Sequence, residues 1–156
     1  MKNLILILLI LIVAMFDQLT KLMVIRNIPL QDAIVVIPGF FAVTHVYNTG
    51  AAFSMMHDSN GFFTILSLAV LVGLIVLRRH FAGYLMLSGW ALLISGILGN
   101  VTDRILRGHV VDFLDFQFGN YHWPAFNVAD SCICIAAGLF LISGFSSGGV
   151  EAKEGA

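Results

Sequence analysis

Phe126-Asn-Val-Ala-Asp-Ser131 opens an apolar stretch that continues to Phe145 and is long enough to cross a membrane. A helix needs roughly 20 apolar residues to span about 30 Å of hydrocarbon. Asp130 therefore lies at the edge of the hydrocarbon, where an ionised carboxylate is costly unless it is paired or used in chemistry. The stretch predicts a membrane helix whose first turn is polar.

A second aspartate, Asp112 in Gly108-His-Val-Val-Asp-Phe113, follows the preceding apolar stretch. Two carboxyl groups that meet can share one proton, so that one acts as an acid and the other as a base. Such a pair can hydrolyse a peptide without a metal ion or a nucleophilic side chain. Taken singly, Asp130 is better explained as a helix cap with Asn127, and Asp112 and Asp115 as ordinary loop acids.

The composition of the whole chain indicates an integral membrane protein. Of its 156 residues, 59% are hydrophobic and 11% are charged, whereas a soluble domain carries about 25% charged residues. The mean hydropathy is +0.95. The net charge of −1 provides no basic surface of the kind that binds nucleic acid, so no nucleic-acid partner is expected.

The apolar segments predict a mainly α membrane protein with four transmembrane helices in a single domain. The spans are predicted at about residues 4–25, 61–77, 81–100 and 124–145, each near the length that a bilayer requires. No small-x-small cleavage site follows the first span, so we expect an uncleaved helix and not a signal peptide. The polar tail at residues 146–156 is predicted to be disordered.

Positive charges in short loops predict the orientation in the membrane. Arg78 and Arg79 lie between the second and third spans, and Lys2 precedes the first. The positive-inside rule therefore places both termini in the cytoplasm. Three arginines on the opposite side weaken this bias: Arg26, Arg104 and Arg107.

Both outward-facing loops have the composition of strands. The segment from Ala33 to Tyr47 is rich in Val, Ile, Phe and Thr around Pro38-Gly39, which predicts two short strands joined by a turn. Residues 116–118 and 121–123 flank Gly119-Asn120, the pattern of a hairpin with a two-residue loop. We therefore expect a small β element on the outer, extracytoplasmic face of the helix bundle.

A set of polar residues gathers at the outer ends of the first, third and fourth spans. Its members are Asp17, Lys21, Asn100, Asp103, Arg104, Asn127 and Asp130. Asp17 and Lys21 are four residues apart and can pair on one helix face, which explains them as well as a chemical role does. Asp103 and Arg104 are interpreted as structural support. Because the set lies at one end of the bundle, it favours a functional site there.

Other catalytic arrangements fit the sequence less well. It contains no His-Glu-x-x-His zinc motif. A serine–lysine pair from Ser54 or Ser131 would need Lys21, which Asp17 already engages. The histidines that lack metal-ligand spacing, and are expected to be surface or hydrogen-bonded residues, are His45, His57, His109 and His122. No metal ion or other cofactor is predicted.

Small residues inside the spans are interpreted as packing positions. Cys132 and Cys134 point in different directions on a helix, so they should not bridge and are expected to be inert thiols. Five glycines are predicted to allow close helix packing: Gly73, Gly83, Gly89, Gly96 and Gly138.

Five motifs together resemble bacterial lipoprotein signal peptidase, the type II signal peptidase. In chain order they are Asp17-Gln-Leu-Thr-Lys21, Tyr47-Asn-Thr-Gly-Ala-Ala-Phe-Ser54, Gly99-Asn-Val-Thr-Asp-Arg104, Gly108-His-Val-Val-Asp-Phe113 and Phe126-Asn-Val-Ala-Asp-Ser131. Each motif alone is weakly specific. Five in the family's order are highly specific, and they cover the chain from the first span to the fourth.

The resemblance implies an aspartyl intramembrane endopeptidase of the bacterial cytoplasmic (inner) membrane. Its substrate would be a prolipoprotein with a diacylglyceryl-cysteine, cleaved just before that cysteine, and globomycin would inhibit it. The family's catalytic pair maps onto Asp112 and Asp130. Its supporting polar residues map onto Asp17, Lys21, Asn48, Gly50, Asn100, Arg104 and Asn127. The protein would lie among membrane lipids, and a monomer is expected because four spans can enclose a site.

Two other classes of function stay open at this point. The outer polar cluster would also suit a small proton- or cation-coupled transporter, in which intramembrane carboxylates relay ions. Transporters usually show internal repeats and broken spans, and the sequence shows neither. A structural membrane subunit without chemistry would leave the clustered carboxylates unexplained.

Overall fold

The structure, a computed structural model, describes the backbone of residues 2–50 and 59–154, and the side chains of residues 3–50 and 59–145. Within these ranges four helices are long and apolar enough to cross a membrane. They are α1 (Lys2–Asn27), α2 (Asn60–Val76), α3 (Gly83–Arg107) and α4 (Val128–Glu154). A 3₁₀ turn, Leu77–His80, follows α2. The predicted mainly α membrane architecture is confirmed.

Helix α3 is the centre of the bundle. Half of its most apolar window is buried inside the protein, against 6% for α1 and for α2, and it packs against each of the other three helices. The faces of α1 and α2 that carry exposed leucine, isoleucine and valine side chains suit a hydrocarbon environment. The polar residues of α3 are therefore the ones best placed to meet residues from several other elements.

Two of the five predicted packing glycines hold α3 against α4. A Cβ on Gly96 would lie 2.4 Å from the carbonyl oxygen of Ala129, and one on Gly89 would lie 2.7 Å from the Phe140 ring. The prediction was wrong for the other three, Gly73, Gly83 and Gly138, which have nothing described within 4 Å of the position that a Cβ would occupy. Gly83 instead adopts a φ of +76°, a left-handed conformation that favours glycine.

The predicted β element is one antiparallel sheet of four strands in the order β1-β2-β3-β4. The strands are β1 (Ala33–Ile37), β2 (Phe41–Asn48), β3 (Val110–Phe118) and β4 (Tyr121–Phe126). Both predicted strand pairs are confirmed, and the two-residue loop Gly119-Asn120 joins β3 to β4. The sheet docks on the end of α1, where Val24 and Ile28 pack with Val111 and Phe113 of β3.

The helix ends differ from the predicted spans where backbone pairing or glycine decides them. The predicted fourth span began at residue 124, but α4 begins at Val128 because Phe126 still pairs with Leu114 in the sheet. The third span was predicted to end at residue 100. Helix α3 instead continues to Arg107, where the left-handed Gly108 terminates it.

Helix α4 continues to Glu154, through most of the tail that the sequence predicts to be disordered. No proline interrupts residues 146–154, and the stretch ends in Glu151, Ala152, Lys153 and Glu154, which are good helix formers. Extension of an existing helix explains the difference, because elongation is far easier than nucleation, even through weak helix formers such as Gly148 and Gly149.

Candidate active site

Asp112 and Asp130 line one pocket of about 540 Å³ between the sheet and α4. Asp112 lies in the first half of β3 and is 3% exposed. Asp130 lies in the first turn of α4. The turn from β4 into α4 brings the start of α4 beside β3, so two acids that are 18 positions apart in the chain share one cavity.

Three asparagine amides connect and orient the two carboxyl groups. Asn127 Nδ2 donates to Asp112 Oδ1 at 2.7 Å and to Asn100 Oδ1 at 3.2 Å. Asn100 Nδ2 in turn donates to Asp130 Oδ1 at 2.8 Å. On its other side, Asp112 Oδ2 accepts from Asn48 Nδ2 at 2.9 Å. Each carboxyl group is thus oriented by amides that come from other elements.

Asp130 also caps α4, as the sequence predicted. Its backbone N–H donates to Asn127 Oδ1 at 3.0 Å, and its Oδ2 accepts from the backbone N–H of Asn127 at 3.2 Å. These reciprocal bonds form a capping box. One oxygen of Asp130 is used in the cap and the other faces Asn100, so capping and membership of the pair are compatible.

Beneath the pair lies a buried charged cluster centred on Lys21, which is fully buried. Its Nζ contacts Asp17 Oδ2 and Asp103 Oδ2, both at 2.9 Å, and donates to Asn100 Oδ1 at 3.0 Å. Arg107 pairs with Asp103 from the other side. Because Lys21 fixes the oxygen of Asn100, the amide nitrogen of Asn100 must point to Asp130.

The two carboxylates of this cluster also hold the backbone next to each pocket aspartate. Asp103 Oδ2 accepts the N–H of Val111 at 3.2 Å, one residue before Asp112. Asp17 Oδ1 accepts the N–H of Ala129 at 2.8 Å, one residue before Asp130. Charge-assisted bonds of this kind are stronger than neutral ones, so the cluster sets the relative position of β3 and α4.

Arg104 lies at the edge of the pocket. It lines the pocket, its guanidinium carbon lies 5.6 Å from the Phe63 ring centroid, and its Nη2 is 3.5 Å from the carbonyl oxygen of Gly50. Its Nε is buried without a hydrogen-bond partner among the described residues. The backbone just before Asp112 is held by Asp103, from the buried side of α3.

Gly50 and Asn48 form a turn at the pocket edge. The backbone N–H of Gly50 donates to Asn48 Oδ1 at 3.0 Å, which fixes the amide of Asn48 so that its nitrogen faces Asp112. The predicted supporting residues Asn48 and Gly50 therefore reach the site through one local structure. Ser54 and His57 lie outside the described residues.

Burial raises the pKa of Asp112 to about 7, and the nearby carboxylate of Asp130 contributes to this rise. Hydrogen bonds from Asn48 and Asn127 and the charge of Lys21 act on the pKa in the opposite direction. A carboxyl group with this pKa can keep its proton near neutral pH, which is the property required of an acid in a proton-sharing pair.

The alternative chemical groups are engaged elsewhere or lie apart. Ser131 Oγ donates to the carbonyl oxygen of Asn127 at 3.0 Å, and Lys21 is held by carboxylates. Cys132 and Cys134 are both free thiols, as expected. Buried His45 lies with Nδ1 2.8 Å from the carbonyl oxygen of Ile28. Within the part of the chain that the structure describes, no group of three His, Cys, Asp or Glu side chains is arranged to hold a metal ion.

Comparison with family models and with curated proteins identifies one family for this chain. The family model described as signal peptidase (SPase) II matches residues 9–146. The chain belongs to the signal peptidase II family. Two curated relatives, each named lipoprotein signal peptidase, come from Aeromonas hydrophila and Neisseria meningitidis serogroup C. The first is 46% identical over 84% of this chain and 82% of the relative, and the second is 44% identical over 89% and 85%.

Two solved structures of bacterial membrane enzymes share the fold of this chain. One, described as a bacterial membrane enzyme structure by the in meso method at 2.3 Å resolution, has a TM-score of 0.84 and 35% identity over 90% of this chain and 87% of its own. A second, described in the same words at 1.9 Å resolution, has a TM-score of 0.79 and 36% identity, with 88% and 90% coverage. The transporter alternative receives no support from these matches.

Proposed function

We propose that the protein is an intramembrane aspartyl endopeptidase that removes the signal peptide from diacylglyceryl-modified prolipoproteins. Cleavage falls just before the lipidated cysteine. The signal peptidase II family and the names of the relatives support the substrate class. The observation that carries the chemistry is that Asp112 and Asp130 line one pocket and are joined through the amides of Asn127 and Asn100.

The proposed mechanism divides the roles of acid and base between the two aspartates. One carboxylate takes a proton from a water molecule while the oxygen of that water attacks the scissile carbonyl carbon. The other carboxyl group hydrogen-bonds the carbonyl oxygen and then donates its proton to the leaving amine. The products are a new carboxyl terminus on the signal peptide and a free amino group on the lipidated cysteine.

The remaining predicted residues have supporting roles in this scheme. Asn100 and Asn127 orient the pair, and Asn48 holds Asp112 on the strand side. Lys21 anchors the amide of Asn100, and Asp17 anchors the start of α4. Arg104 and Gly50 form the pocket edge. No step requires a metal ion, so we expect cleavage to persist in the presence of a chelator.

We propose that the pocket lies where the signal helix of a substrate would leave the hydrocarbon. We propose an inner-membrane location with both termini in the cytoplasm, which puts the aspartates near the outer leaflet. Four spans are enough to enclose the pocket, so we propose a monomer. Globomycin, as an inhibitor of the family, is expected to occupy the same pocket.

A gel-shift cleavage assay tests the proposal. Purified wild type, Asp112→Asn and Asp130→Asn are each incubated with a diacylglyceryl-modified prolipoprotein, with and without globomycin. We expect cleavage only by wild type, and its loss with the inhibitor, because an asparagine can neither accept nor release the proton. The matched control is Asp115→Asn, which removes a half-buried carboxylate from the same strand and should leave cleavage near the wild-type rate.

The outcomes separate the candidate functions. Substantial cleavage by a folded Asp112→Asn or Asp130→Asn variant would contradict the assignment of the pair while leaving the peptidase intact. A folded wild type that cleaves nothing would contradict the peptidase itself. The thermal unfolding temperature of each variant, measured in the same detergent, shows whether a loss of activity reflects a loss of fold.

A further inference from the structure

A second cavity lies at the end of the bundle opposite the two aspartates. It is a groove of about 550 Å³ between α1 and α2, with Leu6 and Ile7 on one wall, Val76 on the other and Trp90 of α3 at its floor. Trp90 precedes Asn100 by ten residues on α3, which corresponds to about 15 Å along the helix axis. The groove is therefore separate from the proposed peptidase site.

The floor of the groove is rigidly held. The indole N–H of Trp90 donates to the carbonyl oxygen of Leu74 at 2.9 Å, and Trp90 belongs to a buried apolar cluster with Ile10, Ala91 and Ile94. Because α1 and α2 both pack on α3, the space between them is an apolar gap whose shape is preformed.

Two arginines stand at the mouth of this groove. Arg78 and Arg79 both line it. The guanidinium carbon of Arg78 lies 4.9 Å from the centroid of the Trp90 ring, and its Nη1 donates to the carbonyl oxygen of Phe81. Among the described residues no carboxylate forms an ion pair with either arginine, and the sequence has no Asp or Glu between residues 59 and 102.

We propose that this groove binds one anionic phospholipid. Its phosphate contacts Arg78 and Arg79, and one acyl chain lies along Leu6, Ile7 and Val76 toward Trp90. Guanidinium groups suit phosphate oxygens because they offer several donors in one plane, and basic pockets between membrane helices favour anionic head groups. A zwitterionic lipid adds a cation near the two arginines and should bind less well.

This site is independent of cleavage, and Trp90 supplies a direct optical test. The chain has two tryptophans, so Trp123→Phe leaves Trp90 as the single fluorophore. This protein is placed in phosphatidylcholine vesicles that contain, at equal low mole fraction, phosphatidylglycerol or phosphatidylcholine with brominated acyl chains, which quench tryptophan on contact. We expect stronger quenching by the anionic lipid, with a preference of about fivefold for each arginine involved.

The variants are Arg79→Gln, which keeps the Arg78–Trp90 contact, and the double variant Arg78→Gln, Arg79→Gln. Quenching is expressed relative to non-brominated lipid within each variant, so a change in the intrinsic emission of Trp90 cancels. We expect the preference to fall in the first variant and to disappear in the second. The matched control is Arg26→Gln, an exposed arginine in the last turn of α1, which should keep the preference.

Several outcomes would overturn the lipid site. Equal quenching by the two brominated lipids in the wild-type background would do so, as would a preference that survives the double variant. An equal loss in Arg26→Gln would assign the effect to overall charge. A preference that appears only after Glu151→Gln, Glu154→Gln would assign Arg78 and Arg79 to the chain's own tail and not to a lipid.

Discussion

Asp112 and Asp130 carry the same functional group in different surroundings. Asp112 is buried in a strand between two amide donors, and its pKa is raised to about 7. Asp130 stands in the first turn of α4, where the helix dipole stabilises negative charge. We infer that the shared proton rests on Asp112 and that Asp130 acts as the base toward water.

This division of roles predicts the high-pH limb of the activity profile. Because Asp112 must be protonated to donate to the leaving amine, kcat/KM should fall as pH rises through its pKa of about 7. The fall reports the pair as a unit and not one residue alone. The measurement is cleavage of a diacylglyceryl-modified prolipoprotein from about pH 5 to about pH 9 in one detergent, a range that brackets this pKa. A rate that stays flat across that range would contradict a protonated Asp112.

The same raised pKa predicts how stability depends on pH. A carboxyl group whose pKa is higher in the folded protein than in the unfolded chain contributes stability at low pH that is lost as pH rises through the folded value. For Asp112 the loss extends from about pH 4 to about pH 7. Asp112→Asn removes this dependence, so its unfolding temperature relative to wild type should rise between about pH 4 and about pH 7.

Thermal unfolding of both proteins in one detergent measures this difference, which corresponds to at most about 4 kcal/mol. The matched control is Asp115→Asn. It removes a carboxylate near the rim of the sheet, whose Oδ1 lies 3.7 Å from Nδ1 of His122. A constant difference between Asp112→Asn and wild type over this pH range would show that Asp112 is not protonated in the folded protein.

Much of the site was accessible from the sequence at the level of single residues. The helix spacing of Asp17 with Lys21, and of Asn127 with Asp130, correctly predicted contacts that the structure contains. The partnership of Asp103 with Val111 was not predictable, because it joins a helix to a strand beyond the intervening Gly108 turn. Gln18, which donates to Asp103 at 3.1 Å, gave no signal because that contact also joins two separate elements.

At the scale of elements, the approach of α3 to α4 decides where the pocket aspartates stand. Gly96 lies against the Ala129 carbonyl, and a Cβ on Gly99 would lie 2.5 Å from Asp17 Oδ2 and 3.0 Å from the Ala129 Cβ. Gly99 was not among the predicted packing positions. Glycine in an apolar helix is a signal for close packing, but the sequence alone does not show which face of the helix meets a neighbour.

Gly96→Ala should therefore destabilise the protein. The added methyl group would meet a backbone carbonyl at 2.4 Å, which cannot rotate away as a side chain could, so α3 and α4 must separate. Overpacking of this kind costs typically about 1–3 kcal/mol, and we expect a lower unfolding temperature together with slower cleavage. The measurement pairs a thermal unfolding curve with the gel-shift assay.

The control is Gly138→Ala, a glycine in the interior of α4 with nothing described within 4 Å of an added Cβ. There the methyl group adds no clash and reduces the freedom of the unfolded chain, so stability should stay the same or rise by about 0.5–1 kcal/mol. Equal destabilisation by Gly96→Ala and Gly138→Ala would contradict the close contact between α3 and α4.

The sequence predicted the individual helices and strand pairs but not the sheet that joins the strand pairs. Hydrophobic length predicted each helix, and turn residues predicted both strand pairs, because these are local properties. The union of the two pairs into one sheet was not predicted, since β2 pairs with β3 although a whole helical hairpin, α2 and α3, separates them in the chain. That pairing is also what carries Asn48 to Asp112, so the strand side of the site depended on a non-local contact.

At the scale of the whole molecule, polarity is divided between the two ends of the bundle. The sheet, the pocket and the buried charged cluster lie at one end, and Arg78, Arg79 and the lipid groove lie at the other. Such a division fits a protein that meets a different aqueous face at each end. The orientation stays a prediction from the positive-inside rule, and it determines from which side the substrate is cut.

Site-directed labelling of the whole protein in cells tests that orientation. In a Cys132→Ala, Cys134→Ala background, Asn120→Cys places a thiol at the exposed β3–β4 loop, and Arg79→Cys places one at the opposite end. A membrane-impermeant maleimide should label Asn120→Cys in intact cells whose outer face is accessible, and Arg79→Cys only after the membrane is permeabilised. The reverse pattern would put the aspartates on the cytoplasmic side, where a translocated prolipoprotein could not reach them, and would contradict both the orientation and the proposed site of cleavage.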